Sequence, residues 1–122
     1  MSYLYEDLTR KIIGLTFEVY NNLRYGYQEK YYQRAFEQLL QENNINYKKE
    51  SSVPIVFKEK IIGRYFIDFL IENKLVVEFK VGKEFKDQYI QQIIAYIKTN
   101  NLKLGLIVLL TSEGVKIKRI IN

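Results

Sequence analysis

The chain has 122 residues, no cysteine and no histidine, and 19 basic against 14 acidic side chains for a net charge of +5. That length holds one hydrophobic core and is short for two, and an apolar share of 48% describes an ordered globular domain. Disulfides, thiolate catalysis and histidine-based acid–base or zinc chemistry are excluded, so any chemistry must run on carboxylates, Lys, Tyr, Ser or Thr.

The positive excess suits a polyanionic partner without demanding one. No apolar run reaches the roughly 18 residues of a membrane span, and the start, MSYLYEDLTRKIIG, lacks a signal-peptide core and cleavage site. A cytoplasmic location away from membranes is the expectation.

In chain order, Leu8, Ile12, Leu15, Thr16, Val19 and Leu23 recur at three-and-four spacing and predict a helix over about 8–24. NNLRYGYQ interrupts it, with Gly26 suited to a left-handed conformation after a helix end. A second helix is predicted over 28–43, with Tyr32, Ala35, Phe36, Leu39 and Leu40 inward. The period then changes to two. YKKESSVPIVFK reads as a strand with an irregular start, Pro54 marking an edge or a bulge. KIIGRYFIDFLI and KLVVEFK read as two further strands of an antiparallel meander. Helical spacing returns over 84–99 at Phe85, Ile90, Ile93, Ile94 and Ile97. KLGLIVLL then has the continuous apolar character of a strand covered on both faces, and VKIKRII alternates like an edge strand with Lys116 and Lys118 outward. The order is ααβββαββ in one domain, residues 1–122, of mixed α/β class.

The hairpin YFIDFLIENKLVVEFK holds Asp68, Glu78 and Lys80 inside apolar runs. A three-residue loop, Glu72 to Lys74, sets Asp68 across from Glu78 and Phe66 across from Lys80. Alternation then puts Asp68, Glu78 and Lys80 on one face, with Ile67, Phe69, Val77 and Phe79 on the other. A two-residue loop would send Glu78 to the opposite side from Asp68, and the residues alone leave both registers open. In the first register two facing acids repel and lose solvation, a conflict that a proton or a cation resolves. Mg²⁺ or Mn²⁺, which take oxygen ligands, suit a chain without His or Cys. The competing account is that both acids lie on a solvated outer face and Lys80 pairs with one of them.

Glu29 falls on the sheet-facing stripe of the second helix, with Tyr32 and Phe36. It is explained either by the positive end of the helix dipole or by a reach toward the same metal. Gln88, Gln92 and Tyr96 form a polar line along the third helix, either a boundary with solvent or a set of groups that hold water or phosphate.

GYQEKYY contains Gly26, Glu29 and Tyr32 at the spacing of the GxxExxY proteins, and IDF followed ten residues after Asp68 by EFK resembles the PD-(D/E)xK nuclease signature. The resemblance runs over nearly the whole chain. It implies a restriction-endonuclease-like core, a mixed central sheet flanked by helices, and a metal-dependent nuclease. Asp68 and Glu78 would hold the metal, Lys80 would orient or activate the attacking water, Glu29 would add an acid from the helix, and Gln92 would assist. Two positions depart from the pattern: RYG replaces the usual Gly-Pro-Gly turn, and Tyr20 stands where a His is often found.

The expected activity is hydrolysis of phosphodiesters in DNA, with RNA as the lesser candidate, and Lys83, Lys86 and Lys98 are candidate phosphate contacts. The alternative is a nuclease-fold adaptor that binds nucleic acid without cutting it. A homodimer with paired sites is a third arrangement, for which the aromatic first helix and the RYGY turn offer contact surfaces.

Overall fold

Helix α1 (Glu6–Leu23) buries Thr9, Ile12, Leu15, Thr16, Val19 and Tyr20, the face its spacing predicts. The computed structural model describes residues 5–49 and 51–122. Helix α2 (Glu29–Glu42) buries Tyr32, Phe36 and Leu40. Both helices cover one face of a five-stranded sheet, and α3 (Asp87–Thr99) covers the other.

The sheet comprises β1 (Tyr47–Lys49), β4 (Phe69–Ile71), β5 (Leu75–Val81), β6 (Leu104–Thr111) and β7 (Gly114–Ile121), adjacent in that order. Only β5 and β6 run parallel, and α3 forms the crossover between them. The β6 strand is buried along its whole length, as its unbroken apolar run predicts, while β7 closes the edge with Lys116 and Lys118 exposed. The restriction-endonuclease-like mixed sheet flanked by helices is therefore present.

Two predicted strands are each divided between two sheets. YKKESSVPIVFK supplies β1 and β2 (Ser52–Phe57), with Glu50 between them outside the described residues. KIIGRYFIDFLI supplies β3 (Lys60–Phe66) and β4, and β2 pairs with β3 as a separate two-stranded hairpin. The meander is thus corrected to a mixed five-stranded sheet plus a ribbon. Phe66 faces Ser52 in that ribbon, not Lys80. The break at 67–68 also turns Ile67 to the α3 side, where it packs with Val76, Ile93 and Ile107, away from Phe69, Val77 and Phe79.

Helix α3 lies close over the sheet because Gly105 of β6 leaves room for it. A Cβ there would stand 2.6 Å from Ile93 Cγ2. Gly105→Ala is expected to destabilise the protein by about 1–3 kcal/mol through overpacking, seen as a lower urea midpoint at unchanged slope.

Candidate active site

The turn between α1 and α2 sets the first acid in place. Arg24 and Gly26 both have positive φ, 65° and 126°, and the Tyr32 hydroxyl donates to the Arg24 carbonyl while accepting from the Tyr27 amide at 3.3 Å. Gly26 and Tyr32 therefore shape and staple the turn, which delivers Glu29 as the first residue of α2. Tyr20 has a structural bond as well: its buried hydroxyl donates to the Thr111 carbonyl at 2.6 Å, tying α1 to the end of β6.

The three-residue loop is the one observed. Phe69 faces Val77 and Ile71 faces Leu75, Glu72 and Asn73 take left-handed φ, and the Lys74 amide returns to the Ile71 carbonyl at 2.9 Å. Strand β4 stops pairing at Phe69 while β5 continues to Val81. A buried strand amide without a partner is costly, and here side chains replace the missing strand. Asp68 Oδ2 accepts from the Phe79 amide at 2.7 Å, and Glu29 Oε1 accepts from the Val81 amide at 3.2 Å. The Asp68 amide donates in turn to Glu78 Oε1.

Glu78 is 2% exposed, which removes the solvated-surface account of this acid. Its Oε2 accepts from the Tyr65 hydroxyl at 2.9 Å and lies 3.8 Å from Lys80 Nζ. The Lys80 ammonium also sits 4.7 Å from the centre of the Tyr89 ring, a cation–π arrangement. Burial, followed by the charge of Asp68, pushes the Glu78 carboxyl up to about 8. Asp68 and Glu29 are raised as well, in both cases chiefly by loss of solvation, with Lys80 opposing. Three acids thus share one ammonium, and the Tyr65 phenol is held in its neutral, donating form by burial and by Glu78.

The donor set fits a hydrated divalent ion. Asp68 and Glu78 offer hard oxygens in a cluster where acids outnumber the ammonium, and Mg²⁺ is commonly bound by one or two carboxylates with water completing the shell. Among the described residues, no group of three or more acidic, histidine or cysteine side chains is arranged as a ready cage. A two-carboxylate site is what the geometry offers, with Glu29 beside it.

Gln92 is half-buried and lines a cleft of about 320 Å³ between α3 and the hairpin, next to Tyr65, Val53 and Ile55. It neighbours Tyr65, whose hydroxyl reaches Glu78. The polar line along α3 divides: Gln88 is exposed, whereas Tyr96 is in the core. Lys86 joins Lys80 at the Tyr89 ring, 5.8 Å from its centre. Lys98 lies in the last turn of α3, about 1.5 Å per residue along the helix from that end and so remote from the acids.

Three neighbours were missed from sequence. Gln33 stands one turn after Glu29, its amide donating to Glu29 Oε2 at 3.5 Å, and its polarity favours the charged form of Asp68. Its i+4 spacing was a legible signal. Tyr89 gave none. Tyr65 was hidden because alternation along an unbroken strand sends it to the face opposite Asp68, and only the break at 67–68 brings the two together. Tyr65→Phe is expected to preserve the fold, with a loss of stability under about 1.5 kcal/mol, and to slow any cleavage about tenfold by freeing the Glu78 carboxylate to rotate. Thermal melts and single-turnover rates measure the two effects.

Fold and site together define an α/β domain with a carboxylate–lysine centre at the carboxyl end of a parallel strand. The model for the PD-(D/E)XK nuclease superfamily matches residues 6–120, and the chain belongs to that superfamily. Among solved structures it is similar in fold to one reported as "Crystal structure of SSO0001", with a TM-score of 0.60 and 20% identity over 77% of this chain and 50% of that one. The chain therefore spans about half the length of that protein. No curated protein matches it.

Proposed function

We propose that the chain is a metal-dependent nuclease of the GxxExxY kind that hydrolyses phosphodiester bonds in DNA, with RNA as the lesser candidate. The observation that supports this most is the convergence of Asp68, Glu78 and Glu29 around one ammonium at the end of β5, with the carboxyls held above their ordinary range. Asp68 and Glu78 would hold Mg²⁺ or Mn²⁺, and Glu29 would add negative charge beside them. When bound, the ion supplies Lewis-acid polarisation and a water of lowered pKa.

Lys80 carries the positive charge nearest the acids, and it orients the attacking water and offsets charge developing on the phosphoryl oxygens. Tyr65 fixes the Glu78 carboxylate, and Gln33 does the same for Glu29. Gln92 assists from the α3 side through its position beside Tyr65. Lys83 and Lys86 offer phosphate contacts at the same end of the sheet. Two copies with paired sites would cut both strands of a duplex.

Incubation with linear, nicked, branched and single-stranded DNA, with Mg²⁺ or Mn²⁺ and with chelator, tests this directly. Cleavage that survives chelator overturns the metal mechanism. The second reading is a nucleic-acid adaptor in a non-membrane setting. It is favoured by the service that Asp68 and Glu29 give as acceptors for backbone amides, a structural role sufficient to keep both acids. An adaptor would bind the same DNA and release no product under any metal.

A further inference from the structure

The cleft of about 320 Å³ between α3 and the β2–β3 hairpin lends only Tyr65 and Gln92 to the proposed reaction, and the rest of its lining has no role there. One wall is helical. Gln91, Ala95 and Thr99 follow one another at four-residue spacing on α3, so they form a single stripe, and the small Ala95 at its centre leaves the hollow. The other wall is one face of the ribbon. Val53 and Tyr65 are cross-strand partners on it, and Ile55, two residues further along β2, points the same way. Among the described residues, no charged side chain lines this cleft, although 27% of the chain is charged. Its counterparts differ: the cleft between α1 and α2 includes Glu18 and Glu42, and that beside the end of β6 includes Lys83, Glu113 and Lys116.

We infer that the cleft between α3 and the hairpin holds one unpaired nucleobase of the strand whose phosphate lies at the acids, so that the substrate is single-stranded at that point. The inference rests on the reading of the site as one that takes nucleic acid. Continuity is the first argument. Tyr65 lines the cleft while its hydroxyl reaches Glu78 at 2.9 Å, so cleft and acids lie at the two ends of one side chain. A nucleotide has the same layout, an anionic phosphate joined through a sugar to a neutral base.

Chemistry is the second argument. A base has apolar faces and a polar edge. Val53, Ile55 and the Tyr65 ring offer contact to a face, and the amides of Gln91 and Gln92 with the Thr99 hydroxyl offer both donors and acceptors to an edge. A phosphate or a free cation would lose its hydration there and meet no counter-charge. Size is the third. The volume stands at the small end of ligand pockets, which run from roughly 300 to 1,000 Å³, and it suits a single base better than a helix or a duplex. In a duplex each base is paired and stacked, and bringing one into the cleft costs the unstacking energy, so an unpaired stretch is the preferred form.

The test separates base from backbone. Fluorescence anisotropy in chelator compares a labelled oligothymidylate of about 12 nucleotides with a fully abasic phosphodiester of the same length and charge, and the wild-type chain is expected to bind the first about tenfold more tightly. The Ala95→Leu/Thr99→Leu variant fills the hollow from two exposed helix positions. It is expected to hold the oligothymidylate as weakly as the abasic polymer, with abasic affinity and circular dichroism as in wild type. Gln91→Ala, which adds no bulk, is expected to lose about threefold on the oligothymidylate alone. With Mg²⁺, a DNA hairpin with an unpaired loop is expected to be cut in the loop. Equal wild-type affinity for the two polymers, a wild-type preference retained by both variants, or cutting confined to the paired stem overturns the inference and leaves the nuclease reading standing. Failure to bind either polymer, with no cleavage of any DNA, overturns both.

Discussion

Lys80→Ala and Glu78→Gln will each lower metal-dependent DNA cleavage by about 10²–10³-fold, yet they will move stability in opposite directions. Lys80 is the cation paired with Glu78, at 3.8 Å, in a cluster of three acids. Removing it leaves those carboxyls to repel one another, and in chelator at pH 8 the variant is expected to lose about 1–2 kcal/mol. The loss is smaller than for a fully buried pair because the ammonium retains access to water. Glu78→Gln keeps the side-chain shape, and its carbonyl still accepts from Tyr65 or from the Asp68 amide. It deletes a buried charge that sits against Asp68, so it is expected to gain about 1 kcal/mol or more under the same conditions. Thermal melts in chelator beside single-turnover rates in Mg²⁺ test both halves. A shared fall in stability would show that Glu78 is held as a structural anion. A Glu78→Gln variant that cuts at the wild-type rate would remove this acid from the reaction.

Much of the fold was legible because it rests on periodicity. The faces of α1 and α2, the buried run of β6 and the alternating edge of β7 follow from apolar spacing alone. The Asp68–Glu78 register was one of two that the residues left open, and the fold decides it: Glu72 and Asn73 take left-handed conformations in a three-residue loop. What sequence did not disclose is where a continuous apolar stretch changes sheets. YFIDF has no Gly or Pro to mark the break after Phe66, so local pattern carries the strand through, and tertiary packing divides it. That division is what places Tyr65 on Glu78 and turns Ile67 toward α3. It also explains where two of the acids sit: Asp68 and Glu29 occupy the lane that β4 leaves empty beside β5, accepting from its Phe79 and Val81 amides.

Metal-free stability is expected to fall as pH rises from 5 to 8. The sign follows from the carboxyls. Glu78 in the folded protein titrates near 8 against an ordinary value of 4.5, and Asp68 and Glu29 are raised in the same direction. Between the unfolded and folded values the native state binds more protons than the unfolded chain, so its advantage is full below about 4.5 and is lost as pH climbs through the folded value. Each tenfold difference in proton affinity amounts to about 1.4 kcal/mol. Glu78→Gln removes the largest contributor and is expected to flatten the curve. Added Mn²⁺ should act in the opposite sense, raising the melting temperature more at pH 8 than at pH 5, because the ion competes with the protons that Glu78 and Asp68 hold. Melts across that pH range, with chelator and with Mn²⁺, for wild type and Glu78→Gln, separate a cation-ready cluster from a set of acids kept for their backbone hydrogen bonds. The second kind would show the same fall with pH in chelator and no recovery with metal at any pH.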